Sequence, residues 1–93
     1  AQAIAEKIHK VSIDSQVLCI THLPQVASMA DTHLFIAKLI DGNRTKTSVT
    51  PLRNDQKINE IARMIAGVEI TDVTIQHAKE LIDQAASAKY QSQ

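Results

Sequence analysis

The sequence predicts an α/β fold, with elements in the order α-β-α-β-β-α-α and a sheet that the chain does not complete by itself. Three observations lead there. Residues 17–20, "VLCI", are continuously apolar, the pattern of a strand covered on both faces as in a parallel sheet. A second strand-like run, "THLFIAKLI", ends in Asp41-Gly42-Asn43, a turn signal because Gly and Asn tolerate positive φ. Beyond it, apolar residues recur at helical spacing in two successive segments.

Residues 2–11 read as the first helix, with Ile4, Ala5, Ile8 and Val11 on one face. No Ser, Thr, Asp or Asn precedes it as a cap, which is expected either of a helix cut from something longer or of a small helix that frays. A polar connection leads into the strand at 16–21. Helix, loop and strand make half of a βαβ unit, whose other strand is expected upstream. Residues 23–30 read as a short helix, with Pro24 in its first turn, where an N–H is not needed. Residues 32–40 and 44–50 form a hairpin. Its return strand, "RTKTSVT", has the polar character of an edge protected against further pairing, and Pro51 ends it.

Asn54 or Asp55 is expected to cap the next helix, 55–66, in which Ile58, Ile61, Ala62 and Ile65 form an apolar stripe and Gly67 ends the helix. Thr71 or Asp72 caps the last helix, 72–86, with Ile75, Ala78, Leu81, Ile82 and Ala85 facing inward. One folded unit is expected over 1–86, with a polar tail over 87–93 that frays.

The chain has 93 residues, 44% of them hydrophobic and 22% charged, the balance of an ordinary globular domain rather than a disordered one. Ten basic and ten acidic residues cancel, which argues against a free-standing nucleic-acid module. Cys19 is the only cysteine, so no disulfide framework or cysteine zinc site exists, and its place in an apolar strand predicts a buried, reduced thiol. No apolar run approaches the ~18 residues of a membrane span.

The chemistry-bearing candidates are few. With only Gly42 and Gly67, neither a P-loop nor a dinucleotide fingerprint is present. Asp41 is better explained as a turn residue than as a metal ligand. His9, His22, His33 and His77 include no pair at helical metal-binding spacing. His9 and His77 are expected at surface or boundary positions, and His33 at the opening of a strand facing solvent or a neighbour. The last two helices could be taken for a helix-turn-helix, but Asp72 and Glu80 beside Gln76, His77 and Lys79 are a poor recognition surface.

His22 differs by position. In open α/β sheets ligands collect at the C-terminal ends of strands. His22 follows such an end and precedes a helix N-terminus, where an imidazole can bond a phosphate oxygen or orient water. Its alternative role is a structural one, capping the helix or bonding a carbonyl.

The stretch "ITHLPQVASMAD" resembles the switch-histidine segment of the RecN family, bacterial SMC-like DNA repair ATPases. The likeness continues through "THLFIAKLIDGNRTKTSV", "INEIARMIAG" and "TIQHAKELI", in order and spacing. It implies the C-terminal part of an ABC-type P-loop ATPase head, acting in double-strand-break repair and recombination in the bacterial cytoplasm at the nucleoid. In such a head the P-loop, signature motif and acidic strand lie upstream, so this segment alone would not hydrolyse ATP. The resemblance makes His22 the switch histidine that contacts the γ-phosphate of ATP, with Thr21 setting its backbone. It implies ATP and Mg²⁺ as cofactors of the whole protein. The implied partners are the N-terminal part of the same head, a second head across sandwiched ATP, and DNA through the whole protein. The competing expectation is a small self-standing α/β interaction domain in which His22 is structural.

Overall fold

The computed structural model describes residues 2–92, with side chains to residue 90. Its elements are α1 (Gln2–Asp14), α2 (Pro24–Ala27), β1 (Leu34–Asp41), β2 (Arg44–Pro51), α3 (Asn54–Ala66) and α4 (Asp72–Ser92). The observed order is therefore α-α-β-β-α-α, and the strand expected over 16–21 is absent among the described residues. A strand exists only by pairing laterally. Here β1 and β2 pair with each other in a two-stranded sheet, and no third strand flanks the 16–21 segment. That segment lies open instead, with Leu18 80% and Ile20 86% exposed.

The hairpin follows the sequence closely. Antiparallel pairing runs from Asp41↔Arg44 at the turn to Leu34↔Pro51 at the open end. Gly42 supplies the positive φ of 61° that the tight turn requires. Pro51 falls at the end of the ladder, where a missing N–H matters least. Neither hairpin face is covered, and Ile36, Leu39, Ile40 and Val49 are all exposed.

The best-packed part is the pair α3–α4. Ile61, Ala62 and Ala78 are fully buried together with Ala27 from α2, and Ile58, Ile65, Ile75, Leu81 and Ile82 pack around them. This is the stripe expected from the i, i+3, i+4 spacing. Burying a side chain the size of Ile61 contributes about 1.5–3 kcal/mol. A second cluster joins Ala5 of α1, Met29 and Ala85 of α4, flanked by Val26 and Ala88.

Three sequence expectations need correction here. Of the face expected on α1, Ala5 is buried and Ile8 partly so, but Ile4 and Val11 are 61% and 60% exposed, and His9 is turned inward instead. Small Ala5 lets α1 approach Met29 and Ala85 closely, and His9 follows one turn later on the same side. α4 does not end near 86. It runs to Ser92, because Ala85 and Ala88 continue the packed face into the polar tail; Gln93 lies outside the described residues. α3 is not capped by Asn54 or Asp55, which lie inside its first turn; Gln56 Oε1 instead accepts the Arg53 N–H at 3.0 Å.

The other caps match. Thr71 Oγ1 accepts the Thr74 N–H at 3.2 Å, while Thr74 Oγ1 accepts the Thr71 N–H at 2.9 Å. Two donors left over at the start of α4 are thereby satisfied reciprocally. At the end of α3, the Gly67 N–H donates to Arg63 O at 2.9 Å. Its φ of 79° with ψ −50° is a conformation that L residues avoid. No neighbour would meet an added Cβ, so a substitution acts through the backbone alone. Gly67→Ala is expected to lower stability by about 1–3 kcal/mol, read as a fall in the thermal midpoint of helical circular dichroism.

Candidate functional site

The loop from Ser15 to His22 borders a cleft of about 850 Å³, whose other walls come from α1, the segment after α2, the start of β1 and α3. His22 stands on its rim and is exposed. The Thr21 hydroxyl accepts the Leu23 N–H at 3.0 Å, closing a small turn around His22. Leu23 is extended, with φ −97° and ψ 121°, and Pro24 then opens α2 with a φ already suited to a helix. His22 thus lines the cleft while remaining exposed, on backbone shaped by the Thr21 turn and Pro24.

The helix after His22 is shorter than expected. α2 has 4 residues, not the span 23–30. Ser28 Oγ donates to Gln25 O at 2.9 Å, and the amides of Met29 and Ala30 turn back to Val26 O and Ala27 O at 3.1 Å. These three-residue closures tighten the chain and end the α-helix. A single turn aligns few peptide dipoles, so little anion attraction comes from α2 itself.

Cys19 is exposed, not buried as expected, because the segment that carries it has no covering neighbour. His9 is buried at 6%, contrary to a surface or boundary place. Its Nε2 lies 3.8 Å from Asp31 Oδ2, and its buried Nδ1 has no hydrogen-bond partner among the described residues. His33, at the opening of the hairpin, is half-buried, and among the described residues its Nδ1 is likewise unpartnered. His77 is exposed on α4.

Burial, with Lys57 nearby, pushes the His33 imidazole below its ordinary 6.5, while Glu60 opposes the shift. Its native state therefore resists protonation, and the unfolded chain binds the proton more readily. The stability that His33 contributes is present above pH 6.5 and is lost as pH falls from there through its lowered value. His33→Gln should flatten stability against pH in that mildly acidic window, measured by urea unfolding at successive pH values.

A polar group that the sequence does not reveal lies behind α2. Lys89 Nζ of α4 bonds Asp31 Oδ1 at 2.9 Å, and Lys57 Nζ of α3 donates to Ala30 O at 2.9 Å. The Lys89 hydrogen bond holds the Asp31 carboxyl below its usual value. Burial lowers the Lys57 ammonium, and repulsion from Lys89 adds to that, with Asp31 opposing. Across the cleft, Arg63 is spoken for by Glu60, with Nε bonded to Oε2 at 2.9 Å. Among the described residues, no group of three or more His, Cys, Asp or Glu side chains could hold a metal ion. None of the described helices is long and apolar enough to cross a membrane.

Fold and cleft together define a mixed α/β unit that leaves an apolar loop and both hairpin faces uncovered. Sequence comparison places it beside segments of much longer proteins. The chain is 70% identical over 89 residues to the DNA repair protein RecN of Bacillus subtilis, covering 96% of the chain and 16% of that protein. It is 63% identical, with the same coverage, to RecN of Halalkalibacterium halodurans. RecN of Vibrio cholerae is 40% identical over 82 residues, 88% of the chain and 15% of that protein. The chain thus matches RecN along nearly its whole length and corresponds to a segment of it. No family model matches the sequence.

Proposed function

We propose that this chain is the C-terminal part of an SMC-like, ABC-type ATPase head in a bacterial DNA repair protein, and that His22 is its switch histidine. One observation carries the reading: an exposed imidazole on a cleft rim, set between the Thr21 turn and Pro24, within sequence that matches RecN proteins. The uncovered apolar loop and hairpin support it too, since a large exposed apolar surface marks an interaction face.

In this reading ATP, with Mg²⁺, supplies the phosphoryl group that passes to water. Only part of the necessary apparatus is in this chain. Without a P-loop, the triphosphate and its metal are held by the N-terminal part of the head, which also covers Leu18 and Ile20. From this chain, a ring nitrogen of His22 donates to a terminal phosphate oxygen and helps hold the attacking water in line. Thr21 fixes the backbone on which the ring swings. A second head closes over the nucleotide, and DNA is engaged by the whole protein.

Deletion and resupply test this reading. A RecN protein lacking the matching segment should lose ATP hydrolysis and regain it when the segment is co-expressed and co-purified. Hydrolysis by the truncated protein at the intact rate would sink the assignment.

A further inference from the structure

We propose that Lys57 and Lys89 are positioning residues that hold the far end of α2 and thereby fix the turn bearing His22; the catalytic part of this inference rests on the reading of His22 given above.

A one-turn helix has no stability of its own, so α2 takes its place from what grips its ends. At its front, the Thr21–Leu23 bond is local to the His22 turn and cannot tie that turn to the rest of the fold. The tie is at the back. Ala27, Ser28 and Met29 are buried there, and the next two residues receive one lysine each from the two long C-terminal helices. Lys57 brings a charge-assisted bond to the Ala30 carbonyl. Lys89, mostly covered itself, brings an ion pair to Asp31. The two ammonium groups repel each other, and the Asp31 carboxylate offsets that repulsion. The α3–α4 pair contains the best-packed core of the molecule, so the lysines connect the least self-sufficient helix to the firmest body. Packing of Ala27 and Met29 sets how deep α2 sits; two directed bonds on consecutive residues also set its rotation, and rotation decides where His22 points.

The test uses a full-length RecN-type protein containing this segment. Hydrogen exchange is measured at residues 22–31, alongside steady-state ATP turnover, in Lys57→Met, Lys89→Met, Lys89→Arg and Asp31→Asn. Amide exchange across the turn should quicken roughly tenfold in Lys57→Met and roughly two- to fivefold in Lys89→Met or Asp31→Asn. Protection in α3 and α4 should be unchanged, which separates local loosening from unfolding. Turnover should fall with KM for ATP preserved, and Lys89→Arg should restore it. Asp31 also faces His9 and offsets Lys57, so the Lys89→Met/Asp31→Asn double variant should be no worse than Asp31→Asn alone. Unchanged exchange in both methionine variants overturns the proposal. So does faster exchange with wild-type turnover in a protein that His22→Ala inactivates. Normal turnover in His22→Ala would instead remove the reading of His22, and the exchange data would still decide the anchoring by themselves.

Discussion

His22→Ala in the intact protein is expected to lower ATP turnover about 100-fold while leaving nucleotide affinity within a few-fold of wild type. That corresponds to about 2.7 kcal/mol of lost transition-state stabilisation. In the role proposed for His22 the contact would be made as charge builds on the transferred phosphoryl group, so kcat should fall and KM move little. Binding should survive because this chain has no glycine-rich loop, so in the proposed reading the triphosphate is cradled elsewhere in the head. Folding survives because the ring is exposed and no neighbour packs on it in a buried cluster. Single-turnover hydrolysis and equilibrium binding of a fluorescent nucleotide separate the two quantities. A variant that binds weakly and hydrolyses normally would contradict the assignment, as would one indistinguishable from wild type.

Ile61→Ala should be the most damaging single truncation, costing about 2–5 kcal/mol, against about 0.5–1.5 for Ile61→Val. Ile61 is completely buried and is the largest side chain in its cluster that is. Its buried companions are Ala27, Ala62 and Ala78, which have no rotamers with which to refill the space. The cavity can be refilled only from the surrounding Ile58, Met64, Ile65, Ile75, Leu81 and Ile82, and how far they move decides where in the range the cost falls. A domain of this size has only a small reserve of stability. Urea unfolding followed by helical circular dichroism should show the alanine variant losing most of its transition and the valine variant keeping it.

Sequence reasoning succeeded where the deciding interactions are local. Gly42 and Asn43 dictate a tight turn within a few residues, and the strands follow from it in register. The stripes of α3 and α4 sit on one helical face each, and Thr71 and Gly67 punctuate them through neighbours three or four residues away. It failed where partners are distant or outside the chain. Residues 16–21 have the composition of a strand, but composition cannot provide the lateral partner. The buried thiol expected at Cys19 failed with the strand. His9 was misplaced because α1 packs through Ala5 against Met29 and Ala85, on a side that also carries His9, while Ile4 and Val11 of the expected face lie outward. The Lys89–Asp31 bond spans 58 residues and the Lys57–Ala30 bond 27, distances at which no pattern in one sequence signals contact. At the candidate site, the family resemblance pointed to Thr21 as setting the His22 backbone but not to its bond with the Leu23 amide; the short reach of α2 was not legible, because it depends on how the chain bends away toward β1.

The bare loop carries a gauge of its own occupancy. Cys19 is the only thiol in the sequence, lies outward, and shares a segment with His22. Its rate of alkylation by a maleimide would therefore report whether another strand has come to lie alongside that segment, with fast labelling when it is bare and slow labelling once it is shielded.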